Sequence, residues 1–434
     1  MKKFFYKSSM LALAAGMLLT SCDPEIDSAN PSSGELNLEN YVAVGNSLTA
    51  GYQDNGLYLE GQLNSYPAIL AQQFAFAGGG EFKQPLFSDA QRNGSGYLRL
   101  TGFASPTSPT LTPVRENLAV VGMGQDGKTP LLAPYLEPIN NLGIPGIRMA
   151  DVSTPGYGFN NPMGFNPYYE RILPDDVTPT GALLPYVNRV AASNPTFFTM
   201  WLGNNDVLGY ATSGGIAPIT PSNTFQSNLD AMVNALVGQN AAKGAIINIP
   251  DVTAVPFFTT KATAQIMQSA AAAKTKLYII DKDNQMREAK ATDYILLTST
   301  VGTPETVGTN QIPHGFSPFN PLANSEVLDE AEVAAVKAAT VDFNNKLAAA
   351  AQAKNLALVD MNTFFNSIKG GFAQNGVAYS PTFITGNLFS LDAVHLTPRG
   401  YAIVANEIIK NINSKYNASI PQVDVTQYRA VLLP

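Results

Sequence analysis

The sequence predicts an α/β fold: a three-layer sandwich with helices on both faces of a mostly parallel sheet, enlarged by long insertions. Two observations carry this. Four short apolar runs read as strands: Tyr41–Val44, Thr196–Leu202, Gly244–Ile249 and Leu356–Asp360. Helical patterns precede the last three, at about 183–192, 221–239 and 329–353. Strands alternating with helices make βαβ units, and such units bury a parallel sheet between two helical layers.

From the N-terminus, residues 1–21 read as an export signal, with Lys2, Lys3 and Lys7 ahead of an apolar stretch from Met10 to Leu19. That stretch is short for a bilayer span. It ends in Leu19-Thr20-Ser21-Cys22, which resembles a bacterial lipoprotein signal with its lipobox. The resemblance implies a mature chain that starts at a lipidated Cys22 and is held on a bacterial membrane of the cell envelope, the outer membrane being the expected one. Residues 22–38 are polar and rich in turn formers, so a flexible tether is expected there, with the domain occupying 39–434. The first strand runs straight into Gly45-Asn46-Ser47. A helix is expected at about 65–77, with Ser65 as its cap and Pro67 in its first turn. Pro195 stands at the entrance of the 196–202 strand, where it removes no ladder hydrogen bond. The stretches 80–135 and 251–325 break the alternation and read as insertions. Within the second, Lys276–Ile280 and Asp293–Leu297 are expected to pair as two extra strands. A last helix is expected from about Pro398 to Asn413.

Composition narrows the function. Net charge is −7 with no basic stripe, which argues against nucleic acid as a partner. Cys22 is the only cysteine, so neither an internal disulfide nor a cysteine metal site can form. Charged residues make up only 14%, beside 35 glycines and 30 prolines, as expected of a compact exported protein with turn-rich loops. No repeat at solenoid periods and no second apolar span of bilayer length is present.

The chemistry is concentrated near the chain's two ends. Only two histidines occur, His314 and His395, and His395 has Asp392 three positions upstream. A serine hydroxyl becomes a useful nucleophile when an imidazole held by a carboxylate takes its proton. In one tight turn, Asp392 and His395 supply that pair. His314 sits in Pro313-His314-Gly315, far in sequence from Glu305 and Glu326, so no local carboxylate partner is expected for it. Ser47, directly after a strand, would stand at the carboxyl edge of the sheet, where open α/β folds place ligands. Taken singly, each residue also has an ordinary reading. Ser47 could cap a helix, His395 could be a surface histidine, and Asp392 a solvated loop carboxylate.

Four ordered blocks together resemble the SGNH, or GDSL, hydrolases. Gly45-Asn46-Ser47-Leu48 resembles the Gly-Asp-Ser-Leu block, Asn140–Gly146 the glycine block, Gly203-Asn204-Asn205-Asp206 the Gly-x-Asn-Asp block, and Asp392-Ala393-Val394-His395 the Asp-x-x-His block. The resemblance implies a flavodoxin-like sheet and a serine ester hydrolase with Ser47, His395 and Asp392 as triad. It also implies an oxyanion hole formed by the Ser47 N–H, the Gly146 N–H and the Asn205 amide, with Gly143 the competing glycine. Asp206 is read as loop support. No metal or organic cofactor is needed. Asn46 departs from the family aspartate but keeps an acceptor oxygen of similar shape. The expected partner is a small-molecule, lipid or glycan ester, reached from the membrane surface. Two readings stay open beside it: a carbohydrate O-acetyl esterase, and a non-catalytic lipoprotein that binds glycans.

Overall fold

The computed structural model describes residues 30–434, apart from 106–107 and 239–240. The signal sequence, Cys22 and the first part of the expected tether lie outside the described residues. A central sheet of five strands is built from β1 (Tyr41–Gly45), β2 (Asn141–Gly143), β3 (Phe197–Trp201), β4 (Lys243–Ile247) and β5 (Ala357–Val359), in the order β5-β4-β3-β1-β2. All four pairings are parallel, with Tyr41 opposite Phe197 and Gly45 opposite Trp201. β2 is a short edge strand, and no apolar run announced it.

The strands are apolar on both faces because both faces are covered. Val42, Val44, Phe198, Met200 and Ile246 pack against α3 (Tyr186–Ala191), α5 (Ser222–Val237) and α6 (Glu330–Ala353). Tyr41, Ala43, Trp201, Ile247 and Val359 face α2 (Tyr66–Phe76) and α8 (Pro398–Tyr416). Three further helices border the cleft or the sheet's end: α1 (Ser47–Ala50), α4 (Asn205–Thr212) and α7 (Met361–Ser367).

Local signals set the helix ends. Ser65 caps α2, Asp329 caps α6, and Thr397 accepts the Gly400 N–H at 3.1 Å to start α8 with Pro398 in first position. α8 runs three residues past the expected Asn413, to Tyr416. The reason is burial: the Tyr416 hydroxyl donates to the Gly244 carbonyl at 2.7 Å, tying the last turn to the sheet. Ile408, Ile409 and Ile412 on the same helix are fully buried, each contributing about 1.5–3 kcal/mol.

Two expectations need correction. The domain begins before residue 39. Leu36 and Leu38 are buried in the α8-side core, and the Glu35 N–H donates to the Tyr416 carbonyl at 3.0 Å, so this stretch is packed rather than a tether. In the second insertion, the two expected strands do not pair with each other. Tyr278–Ile280 turns back on Met286–Glu288, and Tyr294–Ile295 pairs with Val327–Leu328. The turn at 281–285 explains the choice. Asp281 accepts the N–H groups of Asp283 and Gln285, and Asn284 adopts a left-handed φ of 58°, closing a local hairpin before a distant strand is needed. The first insertion holds two hairpins, Tyr97–Ser105 with Ser108–Val114 and Val120–Met123 with Pro130–Leu132. Among the described residues, no helix is long and apolar enough to cross a membrane.

Candidate active site

The carboxyl ends of β1, β3, β4 and β5 border one cleft, lined by the segments that follow them. β1 ends at Gly45 and turns through Asn46 into α1, so Ser47 occupies the first helical position. The Asn46 side chain accepts the Leu48 N–H at 3.0 Å. That is the loop-organising bond for which a neutral amide suffices, and it explains how asparagine can stand here.

The Asp392–His395 turn precedes α8 and lies over Ser47. The Ser47 hydroxyl and His395 Nε2 are 2.8 Å apart, and His395 Nδ1 and Asp392 Oδ2 are 2.9 Å apart. Asp392 receives more than the imidazole. Its Oδ1 accepts the N–H groups of Val394 and His395 and the Ser390 hydroxyl, and its Oδ2 accepts the Asn55 N–H. Burial pushes this carboxyl up, but the charge and hydrogen bonds of His395 and the backbone donors outweigh it, holding Asp392 far below the usual carboxylate range. Ala393, buried inside the turn, takes a left-handed φ of 63°. That is a strained conformation for a residue with a Cβ, held here by the hydrogen bonds around it.

The glycine block lies beyond β2. Gly143 gives its N–H to Asn141 Oδ1 at 2.9 Å, and a Cβ there would come within 2.3 Å of the Ala50 nitrogen. It is a packing glycine. Gly146 has a φ of +84° and open space in front of it, the nearest atom to an added Cβ being 3.7 Å away. Its loop is pinned from three sides. Asn166 donates to the Pro145 carbonyl, the Asn205 amide to the Ile147 carbonyl at 2.9 Å, and the Met149 and Ala150 N–H groups to the Asp206 carboxylate. One Asn205 N–H is therefore committed to orientation, and among the described residues no hydrogen bond engages the second. Burial pushes Asp206 up to about 6. Its work is to brace the loop, as expected of it.

Several contributors were not singled out from sequence. Asp54 and Asn55 sit consecutively in left-handed conformation, at φ 53° and 61°, in a tight turn between Gln53 and Gly56. There Asn55 reaches Asp392, while Asp54 accepts the Leu391 N–H at 2.9 Å and the Tyr58 hydroxyl at 2.7 Å. Arg429, near the C-terminus, donates to the Tyr58 hydroxyl. The Asp-Asn-Gly run was readable as a turn; its contact with residues over 300 positions away was not. Tyr52 packs on the His395 ring at 4.8 Å between centroids.

His314 requires a correction. It does have carboxylate partners: Nε2 lies 2.7 Å from Glu326 and Nδ1 lies 3.2 Å from Glu305. Sequence distance hid them: the hairpin of Pro304–Val307 with Asn310–Pro313 carries Glu305 back beside His314, and Glu326 comes from the separate turn at Asn324–Glu326. This pair braces the second insertion, and His314 is absent from the lining of the Ser47 cleft. Among the described residues, no group of three His, Cys, Asp or Glu side chains converges as a metal site.

A hydroxyl, an imidazole and a carboxylate thus stand in one hydrogen-bonded line at the carboxyl edge of a parallel sheet. The GDSL-like Lipase/Acylhydrolase family model matches residues 41–408, and the chain belongs to that family. It is a hydrolase acting on ester bonds. Among solved structures, it is similar to a lipase/acylhydrolase from Enterococcus faecalis, at 13% identity and a TM-score of 0.35, covering 89% of this chain and 100% of that one. It is also similar to an extracellular lipase from Streptomyces rimosus, at 15% identity and a TM-score of 0.32, covering 86% and 99%. No curated protein matches the chain.

Proposed function

We propose that the protein hydrolyses carboxylic esters through an acyl-enzyme on Ser47. His395 Nε2 takes the Ser47 proton as Oγ attacks the acyl carbonyl, and returns it to the departing alkoxide. A water molecule then attacks the acyl-enzyme, giving its proton to His395, and Ser47 is regenerated as the acid leaves. Asp392 holds the ring with Nδ1–H toward itself, so that Nε2 faces the nucleophile, and it stabilises the imidazolium that forms. Negative charge on the tetrahedral intermediate would fall to the N–H groups of Ser47 and Gly146 and the free N–H of Asn205. Each such donor is worth about 10²–10³ in rate.

The observation that carries this reading is the unbroken line Ser47–His395–Asp392, with separations of 2.8 and 2.9 Å between residues 348 and three positions apart. The test is turnover of p-nitrophenyl esters by wild type and Ser47→Ala. The variant should retain its fold and lose at least about 10³-fold in kcat. Wild-type turnover by Ser47→Ala would refute the nucleophile assignment.

We further propose that the mature chain is anchored through a lipid on Cys22, on the support of the lipobox-like Leu19–Cys22 and the basic start. Cys22→Ser should shift the protein from the membrane fraction to the soluble one or leave its signal uncleaved. A wild-type protein found soluble with a free thiol would end this proposal.

A further inference from the structure

Tyr58 is buried, and its hydroxyl has every hydrogen-bonding position filled. It accepts from Gln53 Nε2 at 2.8 Å and from Arg429 Nη2 at 3.0 Å, so its own proton goes to Asp54 Oδ2, 2.7 Å away. Asp54 passes this constraint on in two directions. Its Oδ1 accepts the Leu391 N–H at 2.9 Å. Its N–H donates to the Ser390 hydroxyl at 2.9 Å, which in turn donates to Asp392 Oδ1 at 3.1 Å. The next residue, Asn55, gives its N–H to Asp392 Oδ2 at 3.0 Å, the oxygen that faces His395 Nδ1. Asp54 and Asn55 are both left-handed, so this turn keeps its shape only while its surroundings hold it.

Arg429 grips the turn from outside. Its guanidinium donates to both Glu60 oxygens as well as to Tyr58, and it lies 3.9 Å from Asp54 Oδ2. Among the described residues it is the one cation paired with that buried carboxylate. Burial pushes the Asp54 carboxyl up, and the Leu391 N–H, the Tyr58 hydroxyl and the Arg429 charge counter it. The backbone of the same residue reaches the other side of the triad. The Arg429 carbonyl accepts the Arg399 N–H at 3.0 Å, and the Tyr428 carbonyl accepts Arg399 Nε at 2.8 Å. Arg399 stands in the first turn of α8, just after the Asp392–His395 turn. Beyond Arg429, Val431 packs on the apolar cluster of Leu100, Ile384 and Leu391.

We propose that Arg429 is a positioning residue for the triad: the C-terminal segment clamps the Asp54–Asn55 turn to the start of α8 and thereby fixes Asp392 against His395. The inference rests on the Ser47–His395–Asp392 reading above. Arg429 touches no reacting atom and does not line the Ser47 cleft. Its loss therefore acts on the chemical step and leaves substrate binding alone. An ion pair that served stability only would leave kcat unchanged in the folded enzyme.

The experiment measures kcat and KM on p-nitrophenyl butyrate for variants shown to be folded by circular dichroism. Arg429→Ala should lower kcat about tenfold with KM within about twofold of wild type. Combining Arg429→Ala with Asp54→Ala should give an enzyme no slower than Asp54→Ala alone, because both act through one chain of contacts. Arg429→Lys keeps the charge and a donor but not the planar fork, so its kcat should fall between those of wild type and Arg429→Ala. His314→Ala, whose ion pairs lie in the second insertion, is the control for lost stability and should keep wild-type kcat. Wild-type kcat in Arg429→Ala, a rise in KM alone, or losses that multiply in the double variant would overturn the clamp and leave the hydrolase reading standing. Should Arg429→Ala fail to fold, wild-type kcat in Arg429→Lys would overturn it. Failure of the folded wild type to turn over the ester would overturn both readings.

Discussion

Replacing Asp392 by asparagine changes one atom, and the surroundings of both oxygens determine the consequence. Oδ1 accepts from Ser390, Val394 and His395 N–H, and Oδ2 accepts from Asn55 and His395 Nδ1. Every contact is with a donor, so the new NH₂ must face donors whichever way the amide turns. At the Oδ1 position it opposes two backbone N–H groups that cannot reorient. At the Oδ2 position it opposes one, from Asn55, and the imidazole can answer by moving its proton to Nε2. The second arrangement costs less, and it disables the base, because Nε2–H then points at the Ser47 hydroxyl. One buried N–H left unpaired costs about 1–3 kcal/mol of stability. Loss of the correct tautomer costs about 10⁴ in kcat in triads of this kind. KM should change little, since Asp392 does not line the Ser47 cleft. Asp392→Asn is therefore expected to lose about 1–3 kcal/mol in urea unfolding and to turn over p-nitrophenyl esters roughly 10³–10⁴ times more slowly. A variant within about threefold of wild type in kcat would refute the tautomer argument.

Asp54→Ala removes the acceptor for the buried Leu391 N–H and Tyr58 hydroxyl. It should cost about 3 kcal/mol in denaturant unfolding and lower kcat roughly 10–100-fold with KM nearly unchanged, because it loosens the segment that carries Asp392; a rise in KM with kcat unchanged would contradict this. His314→Ala should keep wild-type kcat while lowering Tm, and the loss should depend on pH. Burial pulls the His314 pKa down, but the Glu326 hydrogen bond and charge outweigh it and raise it above the ordinary value. A raised folded pKa stabilises fully below the unfolded value of about 6.5, and that stability is lost as pH rises through the folded value. The Tm gap between wild type and variant should thus be largest below about pH 6.5 and shrink above it; a gap that widens with pH would contradict the pairing.

The layered fold was legible because its signals are local. Strands buried on both faces read as apolar runs, and the helix expected from Ser65 began at that cap. The short Asn141–Gly143 strand was not visible, since three residues carry no periodicity. The residues Ser47 and His395 were recoverable from motif order and from the scarcity of histidine. What escaped were contacts that no motif announces: Asn55 on Asp392, Asp54 on Leu391, Glu326 on His314. The lining of the Ser47 cleft escaped likewise, because separated segments each contribute a few side chains and none bears a pattern by itself. In the second insertion Tyr278–Ile280 paired with the nearest segment that a good turn allowed, a preference that apolar runs do not encode.

The central claim is that Ser47, activated by His395, is the nucleophile. Its most direct test is covalent trapping: incubation with an alkyl fluorophosphonate, then mass spectrometry of the digested protein. One phosphonyl group per chain is expected, on the peptide containing Ser47, with labelling abolished in Ser47→Ala and slowed at least about 10³-fold in His395→Ala. Label on another residue, or ester turnover that survives complete modification of Ser47, would contradict it.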